Sequence, residues 1–410
     1  MVDFYETGLT NEKGKLAIGG VLVEQLAREF GTPLYVMNFN RAVANFKRIQ
    51  TAFIHGYANS KVKFAMKSNP NIDLLKALRA VGAQVDTISL GELALALRAG
   101  FKADEILYNG PGQSREDMKL IVESGVIVNF DSQGDYEKYL TYKTPEVIAV
   151  RVNPGGGFGH HKYVVTAGED SKFGIWPKEA LEIYKQMASK GVKKFGVHMH
   201  VGSNSFNAQE FITPLTNLMD LVGLVAKETG MQLQYIDIGG GFGVPYKPEQ
   251  NELDINQFAA EICNVFQSKL HEHKLGNPIL YLEPGRYISA DSTILLAKVT
   301  NVKKTPYKQF TFIDAGMNCL IRPALYGAYH HILVNGKLSE PSTQTYDIVG
   351  QICESGDFIA KDRKLPDINE GDLVAILTAG AYGMCMASNF NLKDKPKEVI
   401  IENGKTKLSV

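Results

Sequence analysis

Cysteine and net charge are the two scarce quantities in this chain of 410 residues. The four cysteines, Cys263, Cys319, Cys353 and Cys385, stand far apart, with no CxxC pair and no histidine at metal-ligand spacing. Neither a disulfide framework nor a zinc site is indicated, and four reduced, mostly buried thiols are expected. Forty-four basic and 44 acidic side chains cancel. That balance argues against nucleic acid or an anionic membrane as the main partner. No run reaches the roughly 20 apolar residues of a membrane span. The opening MVDFYETGLTNEKGK also lacks a basic segment followed by an apolar one, so a cytoplasmic protein is expected. Repeats, low-complexity tracts and long flexible linkers are missing as well.

What is present is regular alternation. Between residues 61 and 284 eight apolar or β-branched runs occur: VKFAM, AQVDTI, EILYNG, VIVNF, EVIAVRV, KFGVHMHV, YIDIGG and ILYLEPG. Stretches with helical periodicity separate them, such as NIDLLKALRAVG and PKEALEIYKQMASKG, the latter with Pro177 at its first position and Gly191 as its stop. Eight strand-helix alternations predict a closed (β/α)₈ (TIM) barrel in an α/β chain, ahead of an open doubly wound sheet. From about residue 290 the pattern changes to strands with turn residues between them: ILLAKVTNVK, QFTFIDAG, TYDIVGQICES, DLVAILTAG and EVIIENGKTKLSV. GKLAIGG and PLYVMN also read as strands. The expected division is a barrel over residues 37–288 and a C-terminal β domain over residues 289–410, joined by residues 1–36.

The C-terminal ends of barrel strands surround one pocket, so residues distant in sequence meet there. Those ends carry Lys67; Asn109 and Gly110; His198, His200, Gly202 and Ser203; Gly239, Gly240, Gly241 and Gly243; and Glu283, Pro284, Gly285 and Arg286. The run DIGGGFG leaves backbone N–H groups open to an anion, and the loops after strands seven and eight often bind phosphate in this fold. A tight turn requiring positive φ explains the same glycines equally well. Arg286 can add a bidentate contact to a phosphate. A lone lysine at a strand end is usually a surface residue, but Lys67 faces a phosphate site, a histidine and a carboxylate. Such a lysine can form a Schiff base. The cofactor with both a phosphate and an aldehyde is pyridoxal 5'-phosphate (PLP), which needs an acidic partner for its ring nitrogen, and Glu283 is the carboxylate available. His200 is placed to lie against the ring. His198, farther from the strand end, is expected to be a core histidine bonded to a backbone carbonyl.

At this point the motifs resemble a known family. GTPLYV, FAMKSNPN, GELALALRAGF, SKFGI, HMHVGSN, DIGGGFGVPY, EPGR, DAGMNCLIRPALYGAYH, VGQICESGD and TAGAYGMCMASNFN are similar, nearly end to end, to the diaminopimelate decarboxylases, PLP enzymes with an N-terminal barrel and a C-terminal β domain. Two positions depart from the family: Ser68 stands where alanine is common, and Asn204 where glutamine is. The resemblance implies that Lys67 carries PLP, that Glu283 faces its ring nitrogen, and that Ser203, Gly240, Gly241 and Tyr382 lie around its phosphate, with His200, Gly285 and Arg286 also at the cofactor. It implies substrate contacts from Arg286, Arg322, Tyr326, Glu354 and Tyr382. Cys353, the family's proton donor, and Glu354 would reach into the neighbouring subunit of a homodimer. No metal is implied.

The implied reaction is decarboxylation of meso-2,6-diaminopimelate to L-lysine and CO₂, the last step of lysine biosynthesis. Cations near the departing carboxylate would stabilise the ground state more than neutral CO₂, so recognition must come from the far end of the substrate. There Arg322 and Arg286 can hold a carboxylate and Glu354 an ammonium. A related decarboxylase acting on ornithine, arginine, lysine or carboxynorspermidine is the nearest rival; polyamine enzymes carry CDGLD-like runs where this chain has CESGD. A PLP racemase would need a second base, for which Tyr326 and Tyr382 are available. A regulator that has lost catalysis is disfavoured by the retention of Lys67, Glu283 and Cys353. The pair His160 and His161 receives no role.

Overall fold

A computed structural model describes residues 8–159, 161 and 166–409. The chain divides into two compact units. One consists of Phe46–Gly243 and Leu253–Gly285; the other takes the segment up to Asn45, Val244–Glu252 and the chain from Arg286 on.

The first unit is the barrel, and all eight expected strands are found: β1 Ser60–Ala65, β2 Gln84–Thr87, β3 Ile106–Tyr108, β4 Ile127–Val128, β5 Val147–Arg151, β6 Lys194–His198, β7 Gln232–Asp237 and β8 Ile279–Leu282. Every pairing is parallel, in the order β4-β3-β2-β1-β8-β7-β6-β5. A parallel bridge from Phe130 to Val150 joins the two ends of that sheet and closes it. These strands are buried on both faces, which is why they read as apolar runs and not as alternation.

The connecting helices begin where the sequence supplies caps. Asn71 accepts from the N–H groups of Asp73 and Leu74 at the start of Ile72–Ala80. Ser89, Ser114, Ser132 and Asp254 do the same for Leu90–Arg98, Arg115–Ser124, Gln133–Leu140 and Ile255–His273. Pro177 opens the helix Pro177–Ser189, and Gly191 follows it at φ +88°. Among the described residues no helix is long and apolar enough to cross a membrane.

Side chains fill the barrel interior. Leu107, Ala149, Tyr235 and Tyr281 form one layer. Lys63 is fully buried there, with Nζ 4.5 Å from the Tyr281 ring centre and donating to the Glu105 carbonyl at 3.3 Å. Burial pushes this ammonium down to about 8, against the pull of Asp237 and Glu283. Gly196 must be glycine, because a Cβ would lie 2.4 Å from the Tyr235 ring.

The second unit is built on a mixed sheet in the order Phe358–Leu365, Gln344–Val349, Gln309–Ile313, Thr293–Lys304, Leu34–Asn38, Lys397–Glu402, Lys405–Leu408. Leu34–Asn38 is antiparallel to Thr293–Lys304 and parallel to Lys397–Glu402. Thr293–Lys304 supplies residues to both apolar cores: Leu295, Ala297 and Val299 to one, Ile294 and Leu296 to the other. That two-faced burial is the period-2 rule at work. The strand Phe358–Leu365 was not anticipated, since its KDRK centre is polar and three of its residues are exposed. Nor was Cys385 as an exposed thiol: Cys263 and Cys319 are buried as expected, whereas Cys385 lies in the short turn Met384–Met386, none of whose residues is buried.

Candidate active site

Seven of the eight barrel strands place a buried polar side chain at or just beyond their C-terminal end: Asp86, Asn109, Asn129, Arg151, His198, Asp237 and Glu283. All seven are less than a tenth exposed, so water cannot serve as their main partner. Asn109 Nδ2 donates to Asp86 Oδ1 at 2.7 Å and to Glu283 Oε1. Its own Oδ1 accepts from Asn129 Nδ2 at 2.7 Å, and Asn129 Oδ1 accepts from the Tyr235 hydroxyl at 2.7 Å. Arg151 donates to Asp131 at 3.3 Å and lies over the Phe173 ring.

Lys67 follows β1 directly, in the turn Met66–Ser68, and its ammonium donates to Asp86 Oδ2 at 3.1 Å. Its neighbour Ser68 is buried and donates to the Ala65 carbonyl at 2.9 Å, so the departing residue spends its hydroxyl on its own turn. Gly285 packs against that turn; a Cβ there would come within 2.9 Å of Ser68. The other departure, Asn204, occupies the left-handed region at φ +66°, which asparagine tolerates.

Three carboxylates share the ring, and they do not ionise alike. Burial raises Asp86 and Asp237, and the Glu283 charge raises both further. Burial would raise Glu283 as well, but the His198 ring and then Lys67 outweigh it and hold this carboxyl well below the usual range. His198 Nε2 lies 3.3 Å from Glu283 Oε2, and neither ring nitrogen makes an aligned hydrogen bond. The expectation of a backbone-bonded core histidine is therefore corrected: the two-residue period that carries His200 into the mouth also turns His198 inward, against the carboxylate.

His200 Nδ1 accepts from the Gly240 N–H at 3.1 Å, so the proton of the neutral ring resides on Nε2. Burial, with the Lys67 charge nearby, pushes this imidazole well below its ordinary value. Gly239 and Gly241 have φ +71° and +109°, so a tight turn is one reason for the glycines. Close approach is the other. A Cβ on Gly239 would lie 2.6 Å from His200 Nδ1, one on Gly240 2.1 Å from the Glu283 carbonyl, and one on Gly241 2.6 Å from the Gly202 carbonyl. Ser203 sits in the two-residue strand Gly202–Ser203, paired with Phe158–Gly159. His160 lies outside the described residues.

The second unit holds its own cluster. Arg286 and Arg322 are 6% and 2% exposed, and an arginine so enclosed requires acceptors at fixed positions. Arg286 Nη1 donates to the Tyr246 hydroxyl at 2.7 Å, and its guanidinium carbon is 5.2 Å from the Tyr382 ring centre. The Arg322 guanidinium lies 4.9 Å over the Tyr246 ring and donates to His330 Nε2 at 2.9 Å. Burial would raise the Tyr246 phenol, but Arg286 and Arg322 outweigh it and hold it below 10. Tyr382 stands at φ +56°, and Tyr326 ends the short helix Arg322–Tyr326. Cys353 and Glu354 are exposed on a loop held by Asp357, whose carboxylate accepts from the N–H groups of Met317 and Ile352 at 2.6 Å each.

Several of these residues escaped the reading of strand ends. Asp86 and Asp237 had a usable signal, a carboxylate inside an otherwise apolar parallel strand. Tyr246 and His330 lie in the quoted runs GGGFGVPY and RPALYGAYH, but nothing in spacing sets them beside the arginines.

The ring and its lysine define a class. A model of the pyridoxal-dependent decarboxylases, covering their pyridoxal-binding domain, matches residues 40–290. The diaminopimelate decarboxylase of Methanothermobacter thermautotrophicus is 44% identical over 96% of this chain and 92% of its own length. That of Aquifex aeolicus is 36% identical over 98% and 94%. Among solved structures, the M. jannaschii diaminopimelate decarboxylase in complex with L-lysine superposes with a TM-score of 0.90 at 31% identity, over 98% of this chain and 94% of that one. The Helicobacter pylori enzyme with L-lysine gives 0.84, also at 31%, over 94% and 95%. A lysine/ornithine decarboxylase from Vibrio vulnificus, at 24% identity, shares the fold. The chain belongs to the pyridoxal-dependent decarboxylases, and within them to the diaminopimelate decarboxylase family.

The residues present fit PLP. An amine at a strand end, a carboxylate kept ionised for a ring nitrogen, and a flat neutral imidazole seated on glycines that admit no Cβ are the donor set the cofactor needs.

Proposed function

We propose that this enzyme decarboxylates meso-2,6-diaminopimelate to L-lysine and CO₂. The observation carrying the reading is the pairing of Lys67 with a ring in which Glu283, unlike Asp86 and Asp237, is shifted below the usual carboxylate range. PLP, when bound, supplies an electron sink for the pair of electrons left at Cα as CO₂ departs. Everything else is done by the chain. Lys67 carries the cofactor, and its ammonium waits against Asp86. Glu283 would keep a proton on the ring nitrogen; Asn109 donates to one of its oxygens, and the His198 ring stands 3.3 Å from the other. His200 would support the ring face, while Ser203, Gly240, Gly241, Gly285 and Tyr382 would hold the phosphate. Arg286 and Arg322 take the distal carboxylate, with Tyr326 and Tyr382 beside it. Glu354 takes the distal ammonium. The Cys353 thiol delivers a proton to Cα once CO₂ has left. Cys353 and Glu354 are exposed, which supports their presentation to a second copy in a homodimer.

The test is a product assay on the PLP-loaded enzyme offering meso-diaminopimelate, ornithine, arginine and lysine. Only diaminopimelate is expected to release CO₂. Preference for an amino acid without the second carboxylate would refute the substrate while leaving the Lys67 chemistry intact. Lys67→Ala is expected to lose the Schiff-base absorbance and at least a thousandfold in rate, on the order of what one covalent catalytic group contributes.

A further inference from the structure

Arg322 is enclosed in the second unit, and the group on its edge is a histidine, where a buried guanidinium would ordinarily meet a carboxylate. Among the described residues no carboxylate forms an ion pair with Arg322. His330 is wholly buried and held at three points. Ring Nδ1 is 2.9 Å from the Leu377 carbonyl, ring Nε2 is 2.9 Å from Arg322 Nη1, and its own carbonyl accepts from Arg363 Nη1 at 2.7 Å. A carbonyl can only accept and a guanidinium can only donate. The proton must therefore be on Nδ1, and Nε2 must present its lone pair. Tyr246 packs edge-on against the same ring at 5.4 Å and lies under the Arg322 guanidinium.

We propose that His330 is the positioning residue of the arginine grip, a neutral imidazole fixed as its Nδ1–H tautomer that aims the Arg322 guanidinium without cancelling its charge. An aspartate or glutamate there would orient the guanidinium equally well but would neutralise it, leaving nothing to attract a substrate carboxylate. An alanine would leave a buried donor without an acceptor. Histidine supplies an acceptor and no charge. The inference rests on the reading that Arg322 holds the distal carboxylate, and it adds the residue that sets this preference.

Two inhibitors separate the effects on the PLP-loaded enzyme. L-lysine keeps the distal carboxylate and cadaverine lacks it. His330→Phe, which retains a flat ring but no acceptor, is expected to weaken L-lysine inhibition and raise KM for diaminopimelate by about ten- to a hundredfold, the range for a lost hydrogen bond to a charged group. Inhibition by cadaverine and kcat at saturation should change less than about threefold, because neither depends on that carboxylate. His330→Gln, whose amide can accept from Arg322 and donate to Leu377, should restore most of the L-lysine affinity. Equal weakening of both inhibitors, or no change in either, would overturn the proposal by making His330 a packing residue. Should the phenylalanine variant fail to fold, ¹⁵N-histidine NMR of the wild-type enzyme decides: a resonance absent from His330→Gln must show an unprotonated Nε2 and protonated Nδ1, and the opposite tautomer refutes the idea. Arg322→Ala serves as the separate control. If that variant leaves L-lysine inhibition intact, the assignment of Arg322 fails, whatever His330 does.

Discussion

Glu92 shows how one partly buried side chain can tie stability to pH. It sits in the first turn of the helix Leu90–Arg98, where its carboxylate accepts from the Ile88 N–H at 2.8 Å. Burial pushes it up to about 7 from an ordinary 4.5. A carboxyl whose folded value is raised favours the folded state while protonated; that contribution is complete below about 4.5 and lost as pH rises through about 7. Glu92→Gln keeps the acceptor and removes the charge. It is expected to stabilise the protein at pH 8 by roughly 1–3 kcal/mol and to change little at pH 4, read as denaturant midpoints at the two pH values. Lys67 and Glu283 were legible as candidates because they fall together at the ends of barrel strands beside a glycine-rich turn and a histidine, whereas Arg322 came only from the resemblance to the family. His198 and His330 were not legible. The sequence shows a histidine's position but not which group its ring nitrogens meet.

At the scale of elements, the glycine turn after β7 ties three segments together, since its backbone approaches His200, Gly202 and Glu283 more closely than any Cβ allows. Gly239→Ala would place a methyl group 2.6 Å from His200 Nδ1 at φ +71°. Left-handed backbone alone costs about 1 kcal/mol or more for an L-residue. The expected outcome is a loss of PLP affinity of at least tenfold with an unfolding midpoint lowered only slightly, measured by absorbance titration and thermal denaturation. Asp357 has a comparable part in the loop of Cys353. Asp357→Ala removes the acceptor for the N–H groups of Met317 and Ile352 and should lower kcat more than it lowers cofactor binding, read from steady-state kinetics beside PLP absorbance. The eight barrel strands could be read from sequence because burial on both faces writes them as plain apolar runs. Phe358–Leu365 escaped because its exposed residues fall at its centre, and a strand with KDRK there resembles a loop.

For the whole molecule, the proposed sharing of active sites has a direct test. Lys67→Ala and Cys353→Ala dimers should each be nearly inactive, and subunit exchange between them should recover about a quarter of wild-type activity, because half of the dimers are mixed and one of their two sites is intact. Recovery of none would refute the exchange of Cys353 between subunits. A different consequence follows from the strand Leu34–Asn38, all five of whose residues are buried, between Thr293–Lys304 and Lys397–Glu402. The ribosome makes this strand before the barrel and its parallel partner after it. The barrel has every strand it needs once residue 285 has emerged, but the N-terminal segment must wait through translation of the whole barrel for its place in a sheet. Until then it is an apolar edge with unpaired N–H and C=O groups. A premature stop shortly before residue 397 would leave Thr293–Lys304 as the only strand beside it, yielding a chain with a complete barrel and one edge of Leu34–Asn38 permanently unpaired.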